Sequence, residues 1–171
     1  SPLGGVLCEH KIRQLRVSET EKERFVTYYF NGRREEPYVG EDRLIIPSPR
    51  IPTYDLKPEM AAYELTEQVL HRIAISVYGF TLINFANPDM VAHTGNIKPT
   101  ITALEVTDAC VGKVVEAALA IQQFVEDARH PALADQGQRG TDRAEVTITG
   151  ACLTRFHRLP PAAHATAAER G

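Results

Sequence analysis

The stretch Phe80-Thr81-Leu82-Ile83-Asn84-Phe85-Ala86-Asn87-Pro88-Asp89-Met90-Val91-Ala92-His93-Thr94-Gly95 decides the fold class. Its first seven residues form an apolar run without regular polar alternation, which is typical of a strand buried on both faces of a parallel sheet. Asn87-Pro88 ends the strand, because proline cannot donate a hydrogen bond to a neighbouring strand. Asp89 therefore follows the carboxyl end of a strand, where open α/β sheets bind their ligands.

Asp89 and His93 are four residues apart, so one helical turn would place the carboxylate and the imidazole on the same side. This pair of ligand types suits a divalent ion such as manganese or zinc. Thr94-Gly95 then ends the turn and frees the backbone to approach a ligand. The same spacing also occurs in an ordinary helix cap followed by a surface histidine. The spacing alone leaves both interpretations open.

The composition indicates a globular protein with an ordinary core. The chain has 171 residues, of which 43% are hydrophobic and 24% charged, enough for one domain. A net charge of -3 argues against non-specific binding to nucleic acid or anionic membrane. No apolar run reaches the length that crossing a bilayer requires. Cys8, Cys110 and Cys152 are widely spaced, which favours a reducing, cytoplasmic compartment. We expect no signal peptide, and the absence of an initiating methionine suggests a piece of a longer chain.

The first half of the chain predicts one strand, one long loop and one helix. Residues 1–18 carry a basic cluster and are interpreted as a solvated connector. Residues 25–30 are rich in aromatic and β-branched side chains, which favours a strand. From residue 33 to residue 55 four prolines predict a long loop. An apolar stripe at helical spacing then predicts a helix over 58–73 that begins with Pro58 in its first turn.

The second half predicts the buried strand over 80–86 and then a second long helix after Asn96, a residue that can cap it. Strand, helix, strand, helix is the pattern of a layered α/β domain. Beyond about residue 122 the composition changes. Residues 146–150 are a candidate strand, and residues 151–171 are expected to be poorly ordered.

Several linked runs carry a family resemblance. Among them are Ser18-Glu19-Thr20-Glu21-Lys22, Thr53-Tyr54-Asp55-Leu56-Lys57-Pro58-Glu59-Met60 and Asn84 to Gly95, together with residues 26–32, 40–43 and 46–49. They resemble the cofactor-independent (2,3-bisphosphoglycerate-independent) phosphoglycerate mutases almost continuously from about residue 11 to residue 120. The resemblance implies an alkaline-phosphatase-like, three-layer α/β/α sheet domain, here incomplete.

The resemblance also implies an activity and a site. The family is an isomerase of glycolysis that interconverts 3-phosphoglycerate and 2-phosphoglycerate through a phosphoserine intermediate, with two manganese ions. By position in the matching motifs, Asp89 and His93 correspond to two ligands of one metal, and Lys22 corresponds to an active-site lysine. In the family, the third ligand of that metal is a histidine later in the sequence. His164 is a candidate for it, although a tail residue is the simpler interpretation.

The chain departs from the family pattern at its end. The family's second metal is bound by an Asp-His-Gly motif, and no Asp-His pair occurs in this sequence. We therefore expect a fragment with at most one metal half-site and no activity by itself. Its expected organisation is a connector (1–18), a partial phosphatase domain (19–120) and a divergent tail (121–171), the last of which a shifted reading frame near residue 121 would explain.

Phosphoglycerate is the implied partner, and a monomer is implied for the full-length parent. Two alternatives remain open. One is another phosphate- or sulfate-ester hydrolase of the alkaline-phosphatase superfamily. The other is a non-catalytic module that binds a metal or a partner through an exposed sheet edge.

Overall fold

The structure is a computed structural model that describes residues 1–129, 146–149 and 152–155, with side chains through residue 122. Within these residues five strands form one sheet in the order β2-β1-β3-β5-β4. The strands are β1 (Gln14–Glu19), β2 (Glu41–Ile46), β3 (Phe80–Asn84), β4 (Val146–Thr149) and β5 (Cys152–Arg155).

The helices of the described chain flank this sheet. They are α1 (Leu3–Glu9), α2 (Glu23–Val26), α3 (Ala62–Ile75), α4 (Asn87–Ala92) and α5 (Ile97–Arg129), with short 3-10 turns at Thr20–Lys22 and Tyr54–Leu56. None of the helices in this part of the chain combines the length and the apolarity that crossing a bilayer demands.

Strand β1 is the centre of the parallel part of the sheet. It pairs in parallel with β2 on one edge, where Gln14 lies opposite Glu41, and with β3 on the other, where Gln14 lies opposite Phe80. All three strands therefore end at the same edge. The hairpin of β4 and β5 adds to β3 in antiparallel orientation.

Side chains of the sheet alternate between two cores. Leu15 and Val17 of β1 and Ile83 of β3 pack with α3 and α5, whereas Phe80 and Leu82 pack on the opposite face with residues of α1 and α2. Helices thus cover both faces of a largely parallel sheet, as the predicted α/β/α fold class requires. The prediction of a buried strand from residue 80 is confirmed, and it ends at Asn84.

The basic cluster near the start of the chain is not fully solvated. Arg16 is completely buried in β1, and its guanidinium lies 4.4 Å from the ring centre of Phe30 and 5.1 Å from that of Phe80. Gln14 on the same face donates a hydrogen bond of 2.8 Å to the carbonyl of Gly4 in α1. The expectation of solvation is wrong for Arg16, because α1 covers the polar face of β1.

Residues 25–30 do not form the predicted strand. They finish α2 and continue through turns, with the hydroxyl of Thr27 donating to the carbonyl of Glu23 at 2.8 Å. Both edges of β1 are already occupied, so the segment has no free edge of that strand to pair with. Its aromatic residues instead divide between the core side, where Phe30 meets Phe80, and the surface, where Phe25 and Tyr29 are about half exposed.

Two boundaries also differ from the predictions. Part of the expected long loop, Glu41–Ile46, is strand β2, because β1 offers it a full parallel edge. The first helix after the loop begins at Ala62 rather than at Pro58, since Met60 adopts a positive φ of 46° that a helix does not accommodate.

The second long helix is confirmed as α5. Its buried face is formed partly by small residues. Small residues, Ala103 and Cys110, are fully buried, whereas Ile97, Ile101 and Leu104 are at least half exposed. Close packing of α5 against α3 and α4 selects small side chains at the contact. Cys110 is thus a small residue of the core.

The end of the chain is described in part. The candidate strand at 146–150 is present as β4. Residues 152–155, expected to be poorly ordered, form β5, because β3 offers them an edge. Residues 156–171 lie outside the described residues, and the domain division at residues 18 and 120 stays a prediction.

A glycine in α1 lies where a side chain would collide with the polar layer above β1. A Cβ at Gly4 would approach Asn31 Oδ1 to 2.7 Å and Arg16 Nη2 to 3.0 Å, whereas a Cβ at Gly112 of α5 meets nothing within 4 Å. We expect Gly4→Ala to lower the free energy of unfolding by about 1–3 kcal/mol through overpacking. Gly112→Ala should raise it by about 0.5–1 kcal/mol, because alanine favours the helix. Urea denaturation followed by circular dichroism measures both, and stabilisation by Gly4→Ala would contradict the described packing.

Candidate functional site

The site lies where β1 and β3 end. Lys22 ends the 3-10 turn that follows β1, and Asp89 lies in the first turn of α4, which follows β3. The ammonium Nζ of Lys22 donates to Asp89 Oδ2 across 67 positions of sequence. The parallel sheet therefore brings together two predicted site residues that are distant in the chain.

Asp89 and His93 form the predicted helical turn. The backbone N–H of His93 donates to the carbonyl of Asp89 at 3.0 Å, and His93 Nε2 lies 3.5 Å from Asp89 Oδ1. Both side chains are accessible: 76% of the His93 side chain and 52% of the Asp89 side chain is exposed. Two ligands bound tetrahedrally at about 2.1 Å from one ion are separated by about 3.4 Å. The pair therefore fits a divalent cation.

The described residues offer only part of a coordination sphere. No group of three or more histidine, cysteine, aspartate or glutamate side chains within them is arranged to hold a metal ion. His164, the candidate third ligand, lies outside the described residues. The structure brings Asp89 and His93 together, and we call this pair the candidate half-site; its role in metal binding stays a prediction.

Lys22 controls the charge of this half-site. Its hydrogen bond, followed by the charges of Lys22 and His93, lowers the pKa of Asp89 against an opposing effect of burial. The Lys22 side chain is only 14% exposed, and its ammonium lies 4.7 Å from the ring centre of Phe25. Asp89 is therefore an ionised carboxylate at neutral pH, with Oδ2 paired to lysine and Oδ1 directed toward His93.

A buried asparagine fixes α4 against the long helix. Asn87 is fully buried; its Nδ2 donates to the carbonyl of Ala103 at 2.9 Å, and its Oδ1 accepts from the hydroxyl of Thr107 at 3.1 Å. Both of its polar groups are satisfied inside the protein. Because Asn87 begins the helix that carries Asp89, these bonds hold the carboxylate at the sheet edge. The sequence showed this residue only as a strand terminator.

Glu19 is a second residue whose environment the sequence did not reveal. It ends β1 with no exposed surface, and Oε1 accepts the N–H of Ala61 at 3.1 Å. Burial raises the pKa of Glu19 to about 6, although the Ala61 N–H, Ser48 and Lys57 act in the opposite direction. The available signal was the place of Glu19 in the family-like run at residues 18–22, but only the tertiary structure shows how deeply it is buried.

The turn at Tyr54–Leu56 borders the site. Tyr54 donates its hydroxyl hydrogen to Glu21 Oε1 at 2.8 Å. Asp55 accepts from Thr53 at 2.7 Å and from the side chain of Asn96 at 3.3 Å. Tyr54 and Asp55 belong to the family-like motif at 53–60, and that motif was the only sequence signal for them.

Residues 2–125 match the family described as the Metalloenzyme superfamily. The chain belongs to this superfamily. Membership agrees with a half-site whose ligands suit a divalent ion, and it establishes divalent metal use for the superfamily domain without identifying the metal.

Individual relatives point to one kind of enzyme. The chain is 48% identical over 124 residues to the 2,3-bisphosphoglycerate-independent phosphoglycerate mutase of Thermomicrobium roseum, covering 72% of this chain and 24% of that protein. It is 55% identical over 118 residues to the protein of the same name from Desulforudis audaxviator, covering 69% and 23%. The resemblance seen in the sequence is therefore confirmed. The chain spans about a quarter of the length of these relatives.

A solved structure shows the same relationship. Crystal structures of Leishmania mexicana phosphoglycerate mutase at low cobalt concentration include a chain that matches with a TM-score of 0.63 and 35% identity, over 65% of this chain and 20% of that one. The superfamily domain described here is thus an α/β domain of the mutase type, represented in part.

Burial of Glu19 makes stability depend on pH. The folded protein binds the Glu19 proton more tightly than the unfolded chain, because its pKa is about 6 instead of 4.5. The stabilisation is complete below the unfolded pKa and is lost as pH rises through the folded value. Relative to Glu19→Gln, we expect the parent to lose about 2 kcal/mol of unfolding free energy between about pH 4 and about pH 7.

Urea denaturation across this pH range measures the difference. Glu67→Gln, which removes an exposed carboxylate from α3, is the control for loss of charge alone. An equal pH dependence for the parent and Glu19→Gln would show that Glu19 is not buried as described.

Proposed function

We propose that this chain is part of the phosphatase-type domain of a cofactor-independent phosphoglycerate mutase and supplies one half of its two-metal site. The mutase would interconvert 3-phosphoglycerate and 2-phosphoglycerate in glycolysis through a phosphoserine intermediate. The observation that carries the proposal is the convergence of Lys22, Asp89 and His93 at one sheet edge. Relatives at 48–55% identity that bear this enzyme's name support it.

Each residue has a proposed role. Asp89 and His93 are proposed ligands of one manganese ion, since a carboxylate and an imidazole suit that metal. A bound divalent cation supplies positive charge that stabilises a phosphoryl group during transfer. Lys22 is the proposed catalytic residue, and its ammonium acts as a point charge toward the same phosphoryl group. The small exposed fraction of Lys22 strengthens this charge, because little water screens it.

The other properties follow from the same assignment. The substrate partner is phosphoglycerate, and we propose a cytoplasmic protein whose full-length form is a monomer. Nucleic acid is not a proposed partner, because the chain has a net charge of -3 and no excess of basic residues. A hydrolase of the wider superfamily is the weaker alternative, since the relatives named above are mutases.

Metal binding tests the half-site. We expect the 171-residue chain to bind Mn²⁺ weakly in calorimetry, and we expect Asp89→Ala or His93→Ala to abolish the heat of binding. Two protein ligands hold an ion weakly, so a dissociation constant on the order of 0.1–1 mM is expected, equivalent to about 4–5.5 kcal/mol. Lys22→Gln should bind Mn²⁺ more tightly than the parent, because no ammonium competes for Asp89.

The controls are a histidine and an aspartate outside the site. His71→Ala removes an exposed histidine from α3, and Asp108→Ala removes an exposed aspartate from α5. Both should bind Mn²⁺ like the parent. Binding that survives in Asp89→Ala and His93→Ala would place the metal elsewhere and remove the main support for the proposal.

Catalysis gives a second test. We expect no turnover of 3-phosphoglycerate by the 171-residue chain assayed alone with Mn²⁺, because its sequence contains no Asp-His pair to bind the second metal of the family. An enzyme-coupled assay of 2-phosphoglycerate formation measures this, with a complete mutase as positive control. Turnover that disappears in Lys22→Gln would show that the chain contains a complete site.

A further inference from the structure

The 3-10 turn at Tyr54–Leu56 lies between the two segments that carry the site. It packs against both α4 and α5, and its side chains reach the loop that follows β1. We call residues 53–56 the bridging turn. Neither Tyr54 nor Asp55 is among the residues assigned a role above. Tyr54 is hydrogen-bonded to the residue before Lys22, and Asp55 to Asn96, three residues after His93.

Tyr54 connects the bridging turn to the lysine segment. Its hydroxyl donates to Oε1 of Glu21 at 2.8 Å, and Glu21 immediately precedes Lys22. The same segment is held by Ser48, whose N–H donates to the hydroxyl of Thr20 at 3.0 Å. Burial, followed by the contact with Glu21, raises the pKa of Tyr54 to about 12. The tyrosine hydroxyl therefore remains a donor throughout the physiological pH range.

Asp55 connects the bridging turn to the metal-ligand segment. Its Oδ2 accepts from Nδ2 of Asn96 at 3.3 Å, while its Oδ1 accepts from Thr53 at 2.7 Å. Asn96 follows directly after the turn that contains Asp89 and His93 and precedes α5. These bonds lower the pKa of Asp55, with the bond from Thr53 contributing most.

We propose that Tyr54 and Asp55 are positioning residues that set the distance between Lys22 and the Asp89–His93 pair. The roles of those three residues rest on the proposed function. The bridging turn is bonded to the residue before Lys22 on one side and to the residue after the Asp89-to-Gly95 segment on the other. A shift of either segment would break one of these bonds.

The ion pair between Lys22 and Asp89 does not provide this constraint by itself. Asp89 is half exposed, and exposed ion pairs contribute little because water screens the charges and long side chains resist ordering. Lysine is also flexible, with four rotatable side-chain bonds.

Variants of the full 171-residue chain test the proposal. Tyr54→Phe keeps the ring and removes the donor, and Asp55→Ala removes both acceptors. Asp55→Asn is the conservative variant, because its amide oxygen can accept from Asn96 while its amide nitrogen donates to Thr53. Tyr63→Phe, at a half-exposed tyrosine of α3, is the matched control.

Two measurements report on position rather than on stability. Proton–nitrogen NMR of the lysine ammonium groups reports the hydrogen exchange of Lys22, assigned through Lys22→Arg and compared with exposed Lys98. Calorimetry with Mn²⁺ reports the half-site. In Tyr54→Phe and Asp55→Ala we expect Lys22 exchange to speed up by roughly threefold to tenfold, the effect of one lost hydrogen bond. Mn²⁺ affinity should rise toward that of Lys22→Gln, because a less restrained ammonium competes less for Asp89. Asp55→Asn and Tyr63→Phe should match the parent.

The outcomes separate this proposal from the proposed function. Unchanged Lys22 exchange and Mn²⁺ affinity in Tyr54→Phe and Asp55→Ala would overturn it, and so would a change that Asp55→Asn shares equally with Asp55→Ala. If the parent itself binds no Mn²⁺, the proposed function fails. The exchange of Lys22 then still decides whether the bridging turn positions the lysine.

Discussion

The parallel pairing of β1 with two neighbours at once is the constraint on which the rest of the structure depends. Gln14 to Ser18 are hydrogen-bonded between β2 and β3 in parallel register, so the three strands end at one edge. The segments that follow them must therefore meet at that edge. Lys22 and Asp89 come into contact because each lies shortly after a strand end, not because any local sequence feature links them.

Burial on both faces has a chemical cost that the structure meets with specific partners. Arg16 is covered by α1 and lies against the rings of Phe30 and Phe80, which replace part of its hydration by cation–π contact. Glu19 is buried at the site edge with its pKa raised to about 6. Asn87 uses both polar groups within the protein. Polar groups near the site are thus held in fixed positions, which favours a preorganised site.

The half-site combines two opposed electrostatic demands. A divalent cation requires an ionised carboxylate, and the hydrogen bond from Lys22 stabilises the ionised form of Asp89 and lowers its pKa. The same ammonium repels a cation placed nearby. A lysine that both prepares the ligand and opposes the ion suits a site in which an anionic phosphoryl group binds between them. The charges of these groups therefore agree with the proposed function.

The sequence by itself determined the fold class, the buried strand that begins at Phe80, the helical turn from Asp89 to His93 and the long helix after Asn96, because these follow from local periodicity and from proline and glycine. Family-like motifs added Lys22. Only the tertiary structure decided that residues 14–19 form the central strand, that residues 25–30 form no strand, and that Glu19 is buried. It also decided that Tyr54 and Asp55 bridge the site. Strand pairing and burial depend on which distant segment occupies an edge or covers a face, and local sequence does not carry that information.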